Sequence, residues 1–217
     1  MALAIFDLDN TLLGGDSDYL WGEFLVEQNH VDAEYHQHNN DVFYQQYLAG
    51  TMDIFEFLEF QLKPLADNSI ETLNQWRQQY LAEKIAPIML PAARKLIAKH
   101  QQQGDTLLII TATNSFITAP IAEQLSIPHL IATEAELIDG QYTGKVAGTP
   151  SYQQGKVTRL NQWLTEQKLD LSGSYFYSDS HNDLPLLKLV EHPIAVDADD
   201  KLKAVATQQG WDIISLR

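Results

Sequence analysis

Ile5-Phe6-Asp7-Leu8-Asp9-Asn10-Thr11-Leu12 is the stretch whose reading decides the fold. The apolar run from Leu3 to Phe6 has the make-up of a short buried strand, and it breaks directly onto two carboxylates. At the carboxyl end of a central parallel strand, where open α/β sheets bind their ligands, Asp7 and Asp9 can reach one site. One carboxylate can then attack an electrophile while the other moves a proton. The same spacing also suits a strand that simply ends in an Asx turn.

Further apolar runs recur downstream at Leu107–Ile110, Leu130–Ala132, Tyr175–Tyr177, Ile194–Val196 and Ile213–Ile214. Helical patterns lie between them, such as Pro91–Gln103 stopped by Gly104, and Lys156–Gln167. Strands alternating with helices predict βαβ units and a parallel sheet. An Asp139-Gly140 pair predicts a two-residue hairpin turn.

Residues 14–87 have a different texture, with no strand pattern. Gly50 closes a helix over Ala33 to Ala49, and Asp53/Glu56 and Asn68/Glu71 have capping-box spacing. Pro64 and Pro87 are expected to break helices. This segment reads as a helical lid inserted after the first strand. Its aromatics are expected to form mostly lid core, with one or two lining a pocket. His36 and His38 are expected on an exposed helix face.

The chain has 217 residues, enough for one core plus a small accessory lobe. It contains no cysteine, which excludes disulfide scaffolding and thiolate metal sites and is compatible with a cytoplasmic location. No apolar run is long enough to span a membrane. The formal net charge of −15 argues against nucleic-acid and anionic-membrane partners. If the substrate is itself an anion, local charges or a metal must overcome that field, which favours a bound cation.

Three more segments supply candidate chemistry. In Thr111-Ala112-Thr113-Asn114, a hydroxyl at a strand end followed by small residues can hold a phosphate oxygen through Thr111 Oγ1 and backbone N–H groups around Ala112. Lys156 follows Gly155 at a helix start, where it is either a solvated lysine or an ammonium that neutralises a nucleophilic carboxylate. In Ser178-Asp179-Ser180-His181-Asn182-Asp183, two acids in an oxygen-rich loop suit a hard divalent cation, and Asp7 with Asp179 would suffice for Mg²⁺. His181 is read as a residue of the pocket rim.

These four blocks, in this order, resemble the haloacid dehalogenase superfamily, in particular its phosphoserine-phosphatase-like branch. The resemblance covers essentially the whole chain, with Ser178 standing where the last block usually has Gly. It implies an α/β fold with a Rossmann-like parallel sheet formed by residues 1–13 and 88–217, and a helical cap over residues 14–87. It also implies a phosphomonoester hydrolase in which Asp7 forms an aspartyl-phosphate, Asp9 acts as acid and then base, and Lys156 assists. Mg²⁺ would be held by Asp7, the Asp9 carbonyl and Asp179, with Asp183 in support, and Thr111, Ala112 and Asn182 would hold the phosphoryl oxygens.

The partner implied is a small phosphate ester. Phosphoserine phosphatases use an acidic residue for the substrate ammonium, a role open to Asp16 and Asp18, and a cap arginine for its carboxylate. In this chain the corresponding cap helix offers Glu59 and Gln61, with Lys63 nearby and Arg77 as the lone cap arginine. An acidic, aromatic lid without a carboxylate clamp suits a cationic head such as that of L-histidinol phosphate, an intermediate of histidine biosynthesis. The chain also resembles bacterial cap-bearing hydrolases with ascribed histidinol-phosphatase activity. L-Phosphoserine is the alternative substrate. A phosphotransferase or a noncatalytic phosphate-binding module is the alternative function.

Overall fold

We describe a computed structural model that covers residues 2–217. Its first strand, β1 (Leu3–Phe6), is buried along its whole length. Side chains alternate across a strand, so Ala4 and Phe6 enter one apolar cluster while Leu3 and Ile5 enter another on the opposite face. A strand covered on both faces has to be apolar throughout, which explains the unbroken run.

β1 pairs in parallel with β2 (Thr106–Asn114) on one side and with β5 (Tyr175–Ser178) on the other. The sheet continues through β3 (His129–Ile138) and β4 (Gln141–Ala147) beyond β2, and through β6 (His192–Val196) and β7 (Asp212–Ile214) beyond β5. The order is β4-β3-β2-β1-β5-β6-β7, and only β4 runs antiparallel to its neighbour. The chain first builds outward from β1 toward β4, then returns to the other side of β1. The topological switch point therefore falls between β1 and β5, above whose carboxyl ends such sheets bind ligands.

The hairpin turn has the expected form, with Asp139 and Gly140 both at positive φ. Asp-Gly is suited to that backbone. β3 runs well past the apolar run that announced it, because its second half is held by β4 rather than by burial.

Between β1 and α5 (Pro91–Gln103) lie α1 (Ser17–Glu27), α2 (Ala33–Ala49), α3 (Ile54–Ala66) and α4 (Ile70–Tyr80). Their entry and exit strands touch through a Leu13–Met89 bridge and a Gly14 N–H to Ile88 O bond of 2.7 Å. Gly50 takes the left-handed conformation that ends α2, as its position implies. Trp21, Phe24, Leu62 and Tyr80 from these helices share one apolar cluster with Phe6 and Ile109 of the sheet.

Three local expectations fail here. Pro64 does not break a helix but sits buried inside α3, whose Leu58, Leu62 and Leu65 bury the same stripe. That burial offsets the roughly 3 kcal/mol cost of an internal proline. The α4 cap is Ser69, whose Oγ accepts from Thr72 N, whereas Asn68 donates backward to Pro64 O and closes α3. His36 is buried, not exposed, and packs against Phe60 with both ring nitrogens unpartnered.

The remaining helices are α6 (Ser115–Gln124), α7 (Gln154–Gln167), the short α8 (Leu184–Leu187) and α9 (Asp200–Gln209). Residues from α7, α8 and α9 fill the cluster beneath Ile5. No described helix is long and apolar enough to cross a membrane.

Candidate active site

Asp7 is the first residue beyond β1, and its N–H still bonds to Tyr177 O at 2.9 Å. It therefore keeps the strand's alternation, on the same parity as Ile5 and toward the α7 face. The following loop folds tightly back, with Leu12 and Leu13 N–H groups both on Leu8 O and Asn10 at positive φ. That turn brings Thr11 Oγ1 within 3.4 Å of Asp7 Oδ2 and 3.1 Å of Asp179 Oδ1. Thr11 Oγ1 also accepts from Asp179 N at 3.0 Å, which stitches the end of β1 to the loop after β5.

Asp9 is held from the other side. Its Oδ1 accepts from Ser17 N at 2.7 Å, and its Oδ2 from Thr113 Oγ1 at 2.9 Å and Thr111 Oγ1 at 3.3 Å. The two threonines stand two residues apart on β2, so strand alternation turns both toward it. Thr113 as a partner of Asp9 was not read from the sequence. Alternation of Thr111 and Thr113 along one strand was the available signal.

Lys156 is a buried ammonium, 4% exposed, and not a solvated lysine. It lies in the first turn of α7, and Gly155 is required before it because an added Cβ would overlap the Pro150 carbonyl oxygen. Its Nζ stands 2.8 Å from Asp7 Oδ1 and 2.9 Å from Asp183 Oδ2. Burial opposes the charge, but Asp183 and Asp7 hold the ammonium above its ordinary value. Asp183 also accepts from Ser178 Oγ at 2.7 Å, so the serine at the usual glycine position fixes this carboxylate.

The electrostatics around Asp7 are strained. Burial raises its carboxyl, Lys156 opposes, and Asp183 and Asp9 add to the rise, which carries it to about 7. Burial, Asp7 and Asp183 likewise lift Asp179 well above the usual carboxylate range. No three acidic or imidazole groups among the described residues converge as a complete ligand set. Asp7 and Asp179 nevertheless share one hydroxyl, and no side-chain cation pairs with Asp179. Two carboxylates so placed fit a hard, water-retaining divalent cation such as Mg²⁺.

Asn182 reaches α2. Its Nδ2 donates to Tyr47 O at 3.0 Å, and its Oδ1 accepts from Gln153 Nε2 at 2.9 Å. Gln153 and the neighbouring Tyr152 were not expected here. His181 is not among the residues lining the cavity but borders a neighbouring groove, with Nδ1 2.7 Å from Asp199 Oδ2.

The cavity that opens above Asp7 and Asp9 is roofed by the four-helix segment and also lined by Thr111, Ala112, Lys156, Asn182 and Asp183. Asp16 and Asp18 line it as expected, and burial, with Asp9 nearby, raises Asp16 to about 7 against its cap hydrogen bonds. Glu59 does not: it is exposed on another groove, against the β3–β4 hairpin, and Gln61 faces the cavity instead. Two residues along a helix turn through roughly 200°, so the two side chains occupy opposite faces. Tyr19, Phe43, Tyr44, Tyr47 and Phe57 all line the cavity, more aromatics than the sequence suggested. Arg77 is away from it, donating to Phe116 O and lying 4.4 Å over the Phe116 ring, and Lys63 pairs with Asp67. Lys156 is thus the one cationic side chain among the described lining residues.

The sequence model of haloacid dehalogenase-like hydrolases matches residues 4–188. A histidinol-phosphatase of Neisseria meningitidis serogroup C is 45% identical over 219 residues, covering 99% of each chain. A Bordetella pertussis protein of unknown function superposes with a TM-score of 0.94 at 42% identity, over 100% of this chain and 99% of that one. A phosphoserine phosphatase carrying a phospho-aspartyl intermediate analogue superposes with a TM-score of 0.73 at 18% identity, over 100% and 93% of the two chains, a likeness of fold.

Proposed function

Since the chain belongs to the haloacid dehalogenase-like hydrolases, we propose that it hydrolyses a small, nitrogen-bearing phosphomonoester through a phosphoryl-enzyme on Asp7. L-Histidinol phosphate is the substrate that the cavity suits best.

Asp7 is the nucleophile because it stands at the floor of the cavity with one oxygen fixed by Lys156. Its oxygen attacks phosphorus, and the bond from phosphorus to the alcohol oxygen breaks. Asp9, in its protonated form, gives its proton to that departing oxygen. The resulting carboxylate of Asp9 then takes a proton from water, which attacks the phosphorus of the aspartyl-phosphate. The bond to Asp7 breaks, and inorganic phosphate leaves with Asp7 again a carboxylate and Asp9 again protonated. Thr113 and the Ser17 N–H keep Asp9 facing the cavity through both steps, while the Thr111 hydroxyl turns from Asp9 to the bound phosphoryl group.

Lys156 and the hydroxyl of Thr111 are positioned to donate to the phosphoryl oxygens, with Asn182 and the backbone near Ala112 at the same wall. Asp183 anchors the Lys156 ammonium. A Mg²⁺ ion held by Asp7, Asp179 and the Asp9 carbonyl would supply the positive charge that this acidic site otherwise lacks for a phosphate dianion. Residues 14–87 act as the cap that covers the bound ester.

One observation carries the choice of substrate. The roof of the cavity presents Asp16, Asp18 and aromatic rings, with neither Arg77 nor Lys63 among its lining. A substrate carboxylate would meet acids there, while an ammonium or imidazole would meet opposite charge and aromatic faces. The 45% identity to a histidinol-phosphatase supports the same reading.

The test is phosphate release with Mg²⁺ from L-histidinol phosphate and L-phosphoserine, compared as kcat/KM. A preference for histidinol phosphate of about a hundredfold, roughly 2.7 kcal/mol, is expected. A comparable preference for phosphoserine would overturn the substrate assignment while leaving the phosphohydrolase chemistry in place.

A further inference from the structure

The buried residues of α2, His36 and Asn40, both lie in its first half. Its last turn is met by two side-chain donors from the sheet's loops. Asn182 Nδ2 donates to Tyr47 O at 3.0 Å, and Lys201 Nζ donates to Ala49 O at 3.0 Å. The last carbonyls of a helix have no partner within it and form the negative end of its dipole. α2 has no basic residue in its own last turn, so Lys201 supplies the cation from α9.

Lys201 is badly placed for its own helix. It stands in the first turn of α9, where a cation opposes the dipole, and no carboxylate among the described residues pairs with it. Gly50 closes the same junction. A Cβ at its φ of 76° would stand 2.8 Å from His181 Nε2, on a ring that Asp199 Oδ2 holds through Nδ1 and the backbone N–H at 2.7 Å each. Lys201 Nζ lies 3.4 Å from that same Nε2. The end of α2 so fixed carries Tyr44 and Tyr47, two of the rings that line the cavity with Asp7.

We propose that Lys201 is a positioning residue, which draws the C-terminal end of α2 onto the loop at His181 and Asn182 and so holds Tyr44 and Tyr47 over Asp7. The proposal rests on the phosphohydrolase reading above, with residues 14–87 as the cap. It assigns the hold on that cap to a cation that touches neither the ester nor a reacting atom. Loosening the end of α2 lowers the fraction of molecules ready to bind, which weakens apparent affinity. Bound ester restores the arrangement, so turnover at saturation is kept.

The experiment compares Lys201→Glu, Lys201→Met and Lys201→Arg in the full-length protein with Mg²⁺. Lys203→Glu, on the same helix, controls for the change in charge. Amide hydrogen exchange without ester reads the contact alone. Exchange over residues 44–51 should quicken about threefold or more in Lys201→Glu, less in Lys201→Met, and not in Lys201→Arg or Lys203→Glu. KM for 4-nitrophenyl phosphate should rise in the same order, about threefold or more for Lys201→Glu, with kcat within about twofold. The thermal midpoint of Lys201→Glu should not fall, because a glutamate in the first turn favours α9 itself. Unchanged exchange over residues 44–51 in Lys201→Glu would overturn the contact whatever the activity. Faster exchange with unchanged KM, or a fall in kcat that tracks a lowered midpoint, would overturn the positioning role. A wild type that turns over no phosphate ester would overturn the phosphohydrolase reading and the positioning role with it, while the exchange result would still decide the contact.

Discussion

Lys156 Nζ stands between two buried carboxylates, 2.8 Å from Asp7 Oδ1 and 2.9 Å from Asp183 Oδ2. The ammonium comes from a helix start more than a hundred residues beyond β1, so the contact closes the site across the sheet. Replacing Lys156 by Met leaves both carboxylates buried without a counter-charge. We expect a loss of about 3–5 kcal/mol in stability by urea unfolding. Among molecules that remain folded, kcat should fall about a hundredfold or more, since a phosphoryl-oxygen donor is lost as well. Near-normal turnover in folded Lys156→Met would remove Lys156 from the mechanism.

The acidic site also makes stability depend jointly on pH and metal. Burial and the neighbouring acids, against the pull of Lys156, raise Asp7 from 3.8 when unfolded to about 7 when folded. Between those values the folded state keeps a proton that the unfolded state has lost. Stability of the metal-free protein therefore falls as pH rises through that window, and the penalty is complete above about 7. A cation bound between Asp7 and Asp179 favours their charged forms, so protons and Mg²⁺ compete. The rise in Tm on adding saturating Mg²⁺ should be at least about twice as large near pH 8 as near pH 5.5. A Mg²⁺ effect that does not change with pH would contradict this placement.

Gly155 is set by space, not by its backbone angles. A methyl group there would run into the Pro150 carbonyl, so Gly155→Ala has to separate the Pro150 loop from the helix start that presents Lys156. The expected cost is about 1–3 kcal/mol, with a fall in kcat that exceeds what partial unfolding explains. Matching thermal unfolding and turnover on the same samples checks it. A variant with unchanged kcat would show that the loop tolerates a Cβ and that Lys156 keeps its place.

Where a local signal coincided with the tertiary demand, the sequence was legible. The limits of α2 and α5 followed from Gly50 and Gly104, and the buried β1 followed from four apolar residues ending at Asp7. That the motif residues meet at one cavity was readable because short strand-end motifs converge at a switch point that the strand order dictates. What failed depended on packing between distant segments. Pro64 is tolerated because α3 buries its stripe against the rest of the chain, and Glu59 faces outward because α3 lies on the β3–β4 hairpin. The side of α3 that would meet the cavity could not be chosen from its own residues. Tyr152 and Gln153 were missed for a related reason, since only the fold brings their loop to Asn182.

A phosphoryl group carried on Asp7 can be trapped and located. The protein is mixed with Mg²⁺ and an ester labelled at phosphorus, quenched within one turnover, digested, and the label located by peptide mass. The account predicts a single phosphoryl group on Asp7 in the wild type and none there in Asp7→Asn. With 4-nitrophenyl phosphate, whose leaving group needs no acid, a larger amount is expected in Asp9→Asn, whose base for hydrolysis is missing. Label on another residue, or an Asp7→Asn protein that still releases phosphate at near-normal rate, would contradict it.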